Sequence, residues 1–136
     1  LFALFVTVLL FSCKNDTKPN AQVFETLDLN KANTVLLEAV MEDAFTPPVA
    51  SRIYAYAHLA HYSTLQSIRQ DSLAEITTKI NGLENFKVSK RDDVNAELAS
   101  LLAFSTIGKK LIYSEHFFDD LTDSLKTKAA RLGLSE

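Results

Sequence analysis

The sequence predicts an all-α fold, and three observations predict it. Breakers are scarce, with three glycines and three prolines in 136 residues. From Leu29 onward, apolar residues recur at helical spacing, with little strict alternation. The breakers stand where helices should start or stop, at Thr46-Pro47-Pro48, Asn81-Gly82 and Gly133. The length is one domain's worth, and no strand, internal repeat or second domain stands out. The expectation is four to five helices over residues 31–136, forming the N-terminal portion of a larger helical bundle.

The elements follow in chain order. Asn33 is placed to cap a first helix running to about Phe45, with Leu36, Leu37, Val40 and Met41 as its inner stripe. Thr46-Pro47-Pro48 ends that helix and starts a second, because proline's missing N–H costs nothing in a first turn. The second helix is expected to reach about Gln70, with a continuation from Asp71 to Ile80 that stops at Asn81-Gly82. Ser89-Lys90-Arg91-Asp92 has the form of a capping box and opens a third helix through Val94, Leu98, Leu101, Leu102, Ile107 and Leu111. A fourth, from about Glu115 to Leu132, carries Phe118, Leu121, Leu125 and Ala129 on one face and stops near Gly133.

The second helix is unusual. From Ile53 through Ile68 it has no Asp, Glu, Lys or Arg, so apolar or aromatic groups face nearly every direction. A helix apolar all round is normally buried all round. Three amphipathic neighbours cover only part of such a surface, so partner helices are expected from a C-terminal extension or another subunit.

Composition excludes several functions. The net charge is −3 and the pI about 5.6, which offers no basic surface for nucleic acid. One cysteine rules out an internal disulfide framework and a cysteine-built zinc site. Gly82, Gly108 and Gly133 are too far apart to form a glycine-rich phosphate loop.

Residues 1–13, Leu-Phe-Ala-Leu-Phe-Val-Thr-Val-Leu-Leu-Phe-Ser-Cys, are uncharged. The run is shorter than the roughly 20 residues of a membrane span and fits a signal-peptide core. The sequence begins with leucine and lacks a basic n-region, so it is expected to start inside a longer signal. Leu10-Phe11-Ser12-Cys13 resembles a bacterial lipoprotein lipobox, although Phe11 is bulkier than the usual residue there. The resemblance implies that Cys13 is acylated and anchors the chain to the membrane through lipid. Residues 14–30 then form a polar tether. The competing reading is a plain secretory signal or a buried helix, with Cys13 in a core.

A longer stretch also carries a resemblance. Residues 42–62 read Glu-Asp-Ala-Phe-Thr-Pro-Pro-Val-Ala-Ser-Arg-Ile-Tyr-Ala-Tyr-Ala-His-Leu-Ala-His-Tyr. This resembles the N-terminal region of bacterial vanadium-dependent haloperoxidase-like proteins of the type 2 phosphatidic acid phosphatase (PAP2) superfamily. Glu97-Leu98-Ala99-Ser100-Leu101-Leu102-Ala103-Phe104, followed by Lys109-Lys110-Leu111-Ile112-Tyr113-Ser114, fits the next helix of that family. The likeness covers most of residues 34–136, and its Pro-Pro-Val-Ala-Ser-Arg-Ile-Tyr-Ala-Tyr core is the specific part. It implies a helical bundle whose oxyanion site lies in a C-terminal half. There, K-x6-R-P, P-S-G-H and S-R-x5-H-x2-D segments gather a lysine, two arginines and two histidines around vanadate or phosphate.

None of those segments occurs here, and the chain has no Arg-Pro or Gly-His dipeptide. No catalytic, cofactor-binding or metal-binding residue is therefore assigned, and residues 1–136 alone are expected to be inactive. Vanadate is an expectation for an intact parent only.

Other constellations have ordinary readings beside sharper ones. His58 and His61 share one helix face, but the next carboxylate, Asp71, lies about 15 Å further along it. Hydrogen bonding or aromatic packing near Tyr54 and Tyr62 is preferred to metal ligation. Arg52 is expected to meet Glu42 or Asp43, with an oxyanion contact as the alternative. His116, Asp119, Asp120 and Asp123 fall opposite the Phe118-Leu121-Leu125 stripe, beside Glu115. That is a solvated acidic face rather than a calcium site, since no glycine-turned loop accompanies it. Lys87, Lys90 and Arg91 are read as loop solvation.

Two functions of different class follow. One is the helical scaffold of an envelope lipoprotein related to these phosphatases and haloperoxidases, packed around a missing catalytic half. The other is a non-enzymatic, lipid-anchored helical binding protein at the bacterial envelope, with the uncharged helix as its interface.

Overall fold

The computed structural model describes residues 26–69, 73, 74, 76–83 and 94–134. These form four α-helices, α1 (Thr26–Glu42), α2 (Pro47–Ile68), α3 (Ala96–Lys110) and α4 (His116–Arg131), with a 3-10 turn at Thr77–Lys79. No strand occurs among the described residues, so the all-α expectation holds. Cys13, the tether up to residue 25 and the Ser89–Asp92 capping box lie outside the described residues.

Helix α1 begins at Thr26, ahead of the expected cap at Asn33, so residues 26–30 are helical rather than tether. Asp28 in the first turn favours this start through the helix dipole. The longer helix buries Ala32, Leu36, Ala39 and Val40. Leu37 and Met41, expected inside, turn outward at 45% and 70% exposure. The inner stripe rests on alanines that a search for large side chains overlooks.

The end of α1 is a two-bond turn. The N–H of Phe45 donates to the Val40 carbonyl (3.3 Å) and that of Ala44 to Met41 (3.1 Å). This is the Schellman arrangement, and it places Ala44 in the left-handed region at φ 52°.

Thr46 precedes α2 in extended conformation with Pro47 and Pro48 in the first turn. Its hydroxyl makes no capping bond. Pro48 has removed one N–H that such a hydroxyl would accept, and the Thr46 carbonyl instead accepts from Val49 and Ala50, each at 2.9 Å. Beyond Ile68 the expected continuation to Ile80 reduces, among the described residues, to the 3-10 turn. Gly82 does adopt a positive φ of 92°.

Helix α3 starts later than the capping-box reading implied. Asn95 caps it, with Oδ1 accepting from the Leu98 N–H at 2.9 Å. Val94 consequently lies ahead of the helix and is exposed. Helix α4 follows expectation closely. Phe118, Leu121, Leu125 and Ala129 are buried, and Gly133 ends the helix at φ 69° with its N–H donating to Ala130.

The central helix is α3, which packs on α1, α2 and α4. This corrects the expectation of an enclosed α2, which packs chiefly on α3 and leaves Val49, Arg52 and Tyr56 exposed. Small residues make the close approach feasible: Ala57, Ser63 and Ser67 on α2, and Ala96, Ser100, Ser105 and Gly108 on α3, are buried. Phe104 and Phe118 fill the middle, with ring centroids 6.4 Å apart. Helices α1 and α4 run antiparallel, tied by Lys128 Nζ to Asp28 Oδ2 at 2.6 Å and Lys31 Nζ to Ser124 Oγ at 3.3 Å.

Candidate functional site

The side chains that carry polar chemistry fall into three places. The first is the junction of α1, α2 and α3, where His58 Nε2 lies 3.1 Å from Asn33 Oδ1. The His58 ring also meets Phe104 edge-on, with centroids 5.2 Å apart. The expected kind of role, hydrogen bonding and aromatic packing, is present, with Asn33 and Phe104 as partners in place of Tyr54 and Tyr62. Desolvation holds His58 below its ordinary pKa. Desolvation, with His58 close by, does the same to His61. Tyr62 instead donates its hydroxyl to the Ala74 carbonyl at 2.7 Å.

The second place is the turn between α3 and α4, where Asp43 acts. Its carboxylate accepts from the Tyr113 N–H (2.6 Å), the Ser114 N–H (3.1 Å to Oδ1) and the Ser114 hydroxyl (2.5 Å). Desolvation opposes ionisation, but these bonds and nearby His116 outweigh it, so the carboxyl titrates below its ordinary value. Phe45 stacks on Tyr113 beside it, centroids 5.4 Å apart. Asp43 is thus committed to backbone seventy residues away in sequence. Arg52, expected to meet Asp43 or Glu42, is exposed and makes no ion pair with either.

The acidic run on α4 lies on the exposed side, with His116, Asp119, Asp120 and Asp123 all exposed. Lys109 Nζ pairs with Asp119 at 2.5 Å and Glu115 at 3.5 Å. The bond to Asp119 leads in raising the lysine pKa, against some desolvation. Among the described residues no group of three or more His, Cys, Asp or Glu side chains gathers as a metal ligand set. Lys87, Lys90 and Arg91 lie outside the described residues.

The third place is an apolar pocket of about 270 Å³. Tyr56, Leu59, Ala60 and Ser63 of α2 line it opposite Ile107 and Leu111 at the end of α3, and Leu83 completes the lining. Ser63 stands out within it. Ser67 donates to the Thr64 carbonyl at 2.8 Å, Ser100 to Glu97 at 2.8 Å and Thr106 to Leu102 at 2.7 Å. The buried Ser63 hydroxyl has no partner, a condition it shares with Ser105 and Tyr54. Sequence reasoning saw an uncharged helix here but no pocket. The available signal was the pairing of small Ala60 and Ser63 one turn apart among larger apolar residues.

Comparison with protein-family models, curated proteins and solved structures returns no match to this chain. What fold and site define is an all-helical bundle with an apolar pocket at the α2–α3 edge and no assembled catalytic constellation among the described residues.

Proposed function

We propose that this chain is the helical scaffold part of a lipid-anchored envelope protein related to the type 2 phosphatidic acid phosphatases and vanadium-dependent haloperoxidases. One observation carries the reading. The stretch that resembles the family opens α2, and this uncharged helix leaves Val49 and Tyr56 exposed beside an open apolar pocket. A helix of this composition is stabilised by further covering surface. In the proposed arrangement a C-terminal catalytic half supplies that surface, together with the lysine, arginines and histidines of the oxyanion site. Vanadate or phosphate would be held there and not by residues of this chain.

Cys13 is proposed as the lipid attachment point, on the periplasmic or outer face of the envelope. Reading the genomic DNA past the Glu136 codon tests the scaffold assignment. The expected frame continues into the Arg-Pro and Gly-His segments, and a stop codon there refutes it. Labelling with radioactive palmitate tests the anchor independently: the wild-type chain should take up label and Cys13→Ala should not.

The exposed α2 face equally favours a second reading, a non-enzymatic lipid-anchored protein that docks a partner on that helix. The same DNA test separates the two, since this reading expects the frame to end without the oxyanion segments.

A further inference from the structure

We propose that the pocket between α2 and α3 binds a small neutral molecule with an apolar body and one hydrogen-bonding group, which pairs with the Ser63 hydroxyl. The pocket measures about 270 Å³. An apolar cavity of about 150 Å³ holds a benzene ring, so this one admits a body of roughly ten to twelve non-hydrogen atoms. Its lining includes Leu59, Leu83, Ile107 and Leu111, with Tyr56 half-exposed at an opening to solvent. No Asp, Glu, Lys, Arg or His lines it, so a charged ligand would lose its hydration without gaining a counter-ion.

The polar part of the argument rests on Ser63. The residue is 4% exposed and its Oγ has no partner, whereas the neighbouring Ser67 donates back to its own helix. A buried hydroxyl without a partner is unfavourable, and a ligand hydroxyl or carbonyl arriving in the pocket restores the missing bond. An apolar site with one such group is the usual form of a small-molecule pocket. This proposal rests on the pocket alone, whatever the DNA beyond Glu136 encodes.

The test is a titration of 4-butylphenol into the full 136-residue chain, followed by amide proton–nitrogen correlation spectra. Saturable shifts are expected at Leu59, Ala60, Ser63, Ile107 and Leu111. Octanoate at equal concentration should leave them in place. Ser63→Ala should weaken 4-butylphenol by about three- to tenfold while butylbenzene, which lacks the hydroxyl, binds both proteins alike. Ala60→Leu fills the pocket and should abolish both. Non-saturating shifts scattered over the exposed apolar residues would overturn the site. Equal affinity for octanoate, or an unchanged 4-butylphenol affinity in Ser63→Ala, would overturn the assigned ligand chemistry. If Ala60→Leu fails to fold, the wild-type and Ser63→Ala titrations decide.

Discussion

Replacing Gly108 by alanine sets two well-understood effects against each other. In an ordinary helix interior the change is favourable by about 1 kcal/mol, because alanine is the best helix former and glycine among the worst. Gly108 is buried in α3 and faces Phe118 of α4. A methyl group there would sit 2.5 Å from Cζ of that ring and 2.8 Å from Cε1. Carbon contacts prefer about 3.5–4.0 Å, so the ring must retreat by about 1 Å. Phe118 is fully buried and packed against Phe104, which leaves it little room.

Overpacking of this kind costs about 1–3 kcal/mol. We place Gly108→Ala at the upper part of that range, for a net loss of about 1–2 kcal/mol after the propensity gain. Thermal melting by far-UV circular dichroism should show a midpoint lowered by about 4–10 °C. Phe118→Leu removes the clashing ring atoms, so adding Gly108→Ala to it should cost less than adding it to wild type, with a coupling of about 1 kcal/mol in urea titrations. An unchanged or raised midpoint for Gly108→Ala would refute the claim that this glycine exists to seat Phe118.

Three more predictions follow from the same geometry. Asp43→Asn should destabilise the bundle by about 1–2 kcal/mol at pH 7, read by urea denaturation, since a neutral amide serves Tyr113 and Ser114 less well. The folded pKa of Asp43 is depressed, so its contribution is present above the ordinary 3.8 and lost as pH falls through the folded value. The gap between wild type and variant should therefore close in strong acid. Ala44→Gly should stabilise by about 0.5–1 kcal/mol in the same assay, because Ala44 sits at φ 52° where glycine is unstrained. His58 and His61 are both depressed below 6.5, so the unfolded chain binds their protons first. Stability should be full above pH 6.5 and decline as pH falls toward the folded values, and His58→Gln/His61→Gln should flatten that decline in melts at stepped pH.

The legible parts of the fold were those where one local rule acts alone. Gly133 ends α4, Gly82 takes a positive φ, and the Phe118-Leu121-Leu125-Ala129 face is buried, as spacing and breakers indicate. The misread parts depend on packing between helices. Leu37 and Met41 are as apolar as the residues that replaced them inside, but α3 and α4 meet the Ala32-Leu36-Ala39 side of α1. Helix α2 looked central because it lacks charge, yet α3 has the small residues that let three helices approach it. Asp43 was visible only as one of two acids near Arg52, since its real partners lie at the α3–α4 turn. No local pattern encodes a contact across that separation. The pocket was hidden for the same reason, being a gap between two helices.

The antiparallel contact of α1 with α4 governs how the bundle responds to load. Asp28 at the start of α1 is tied to Lys128 near the end of α4, across 100 residues of chain. A pull applied at the two ends of the described chain therefore acts at the same extremity of the bundle. Tension meets the Asp28–Lys128 pair first and the Lys31–Ser124 contact next. The helices peel apart one turn at a time, like a zipper, with no need for the whole interface to slide at once. Such a geometry yields at low force. The α2–α3 contact lies outside that line of tension until α1 and α4 have separated.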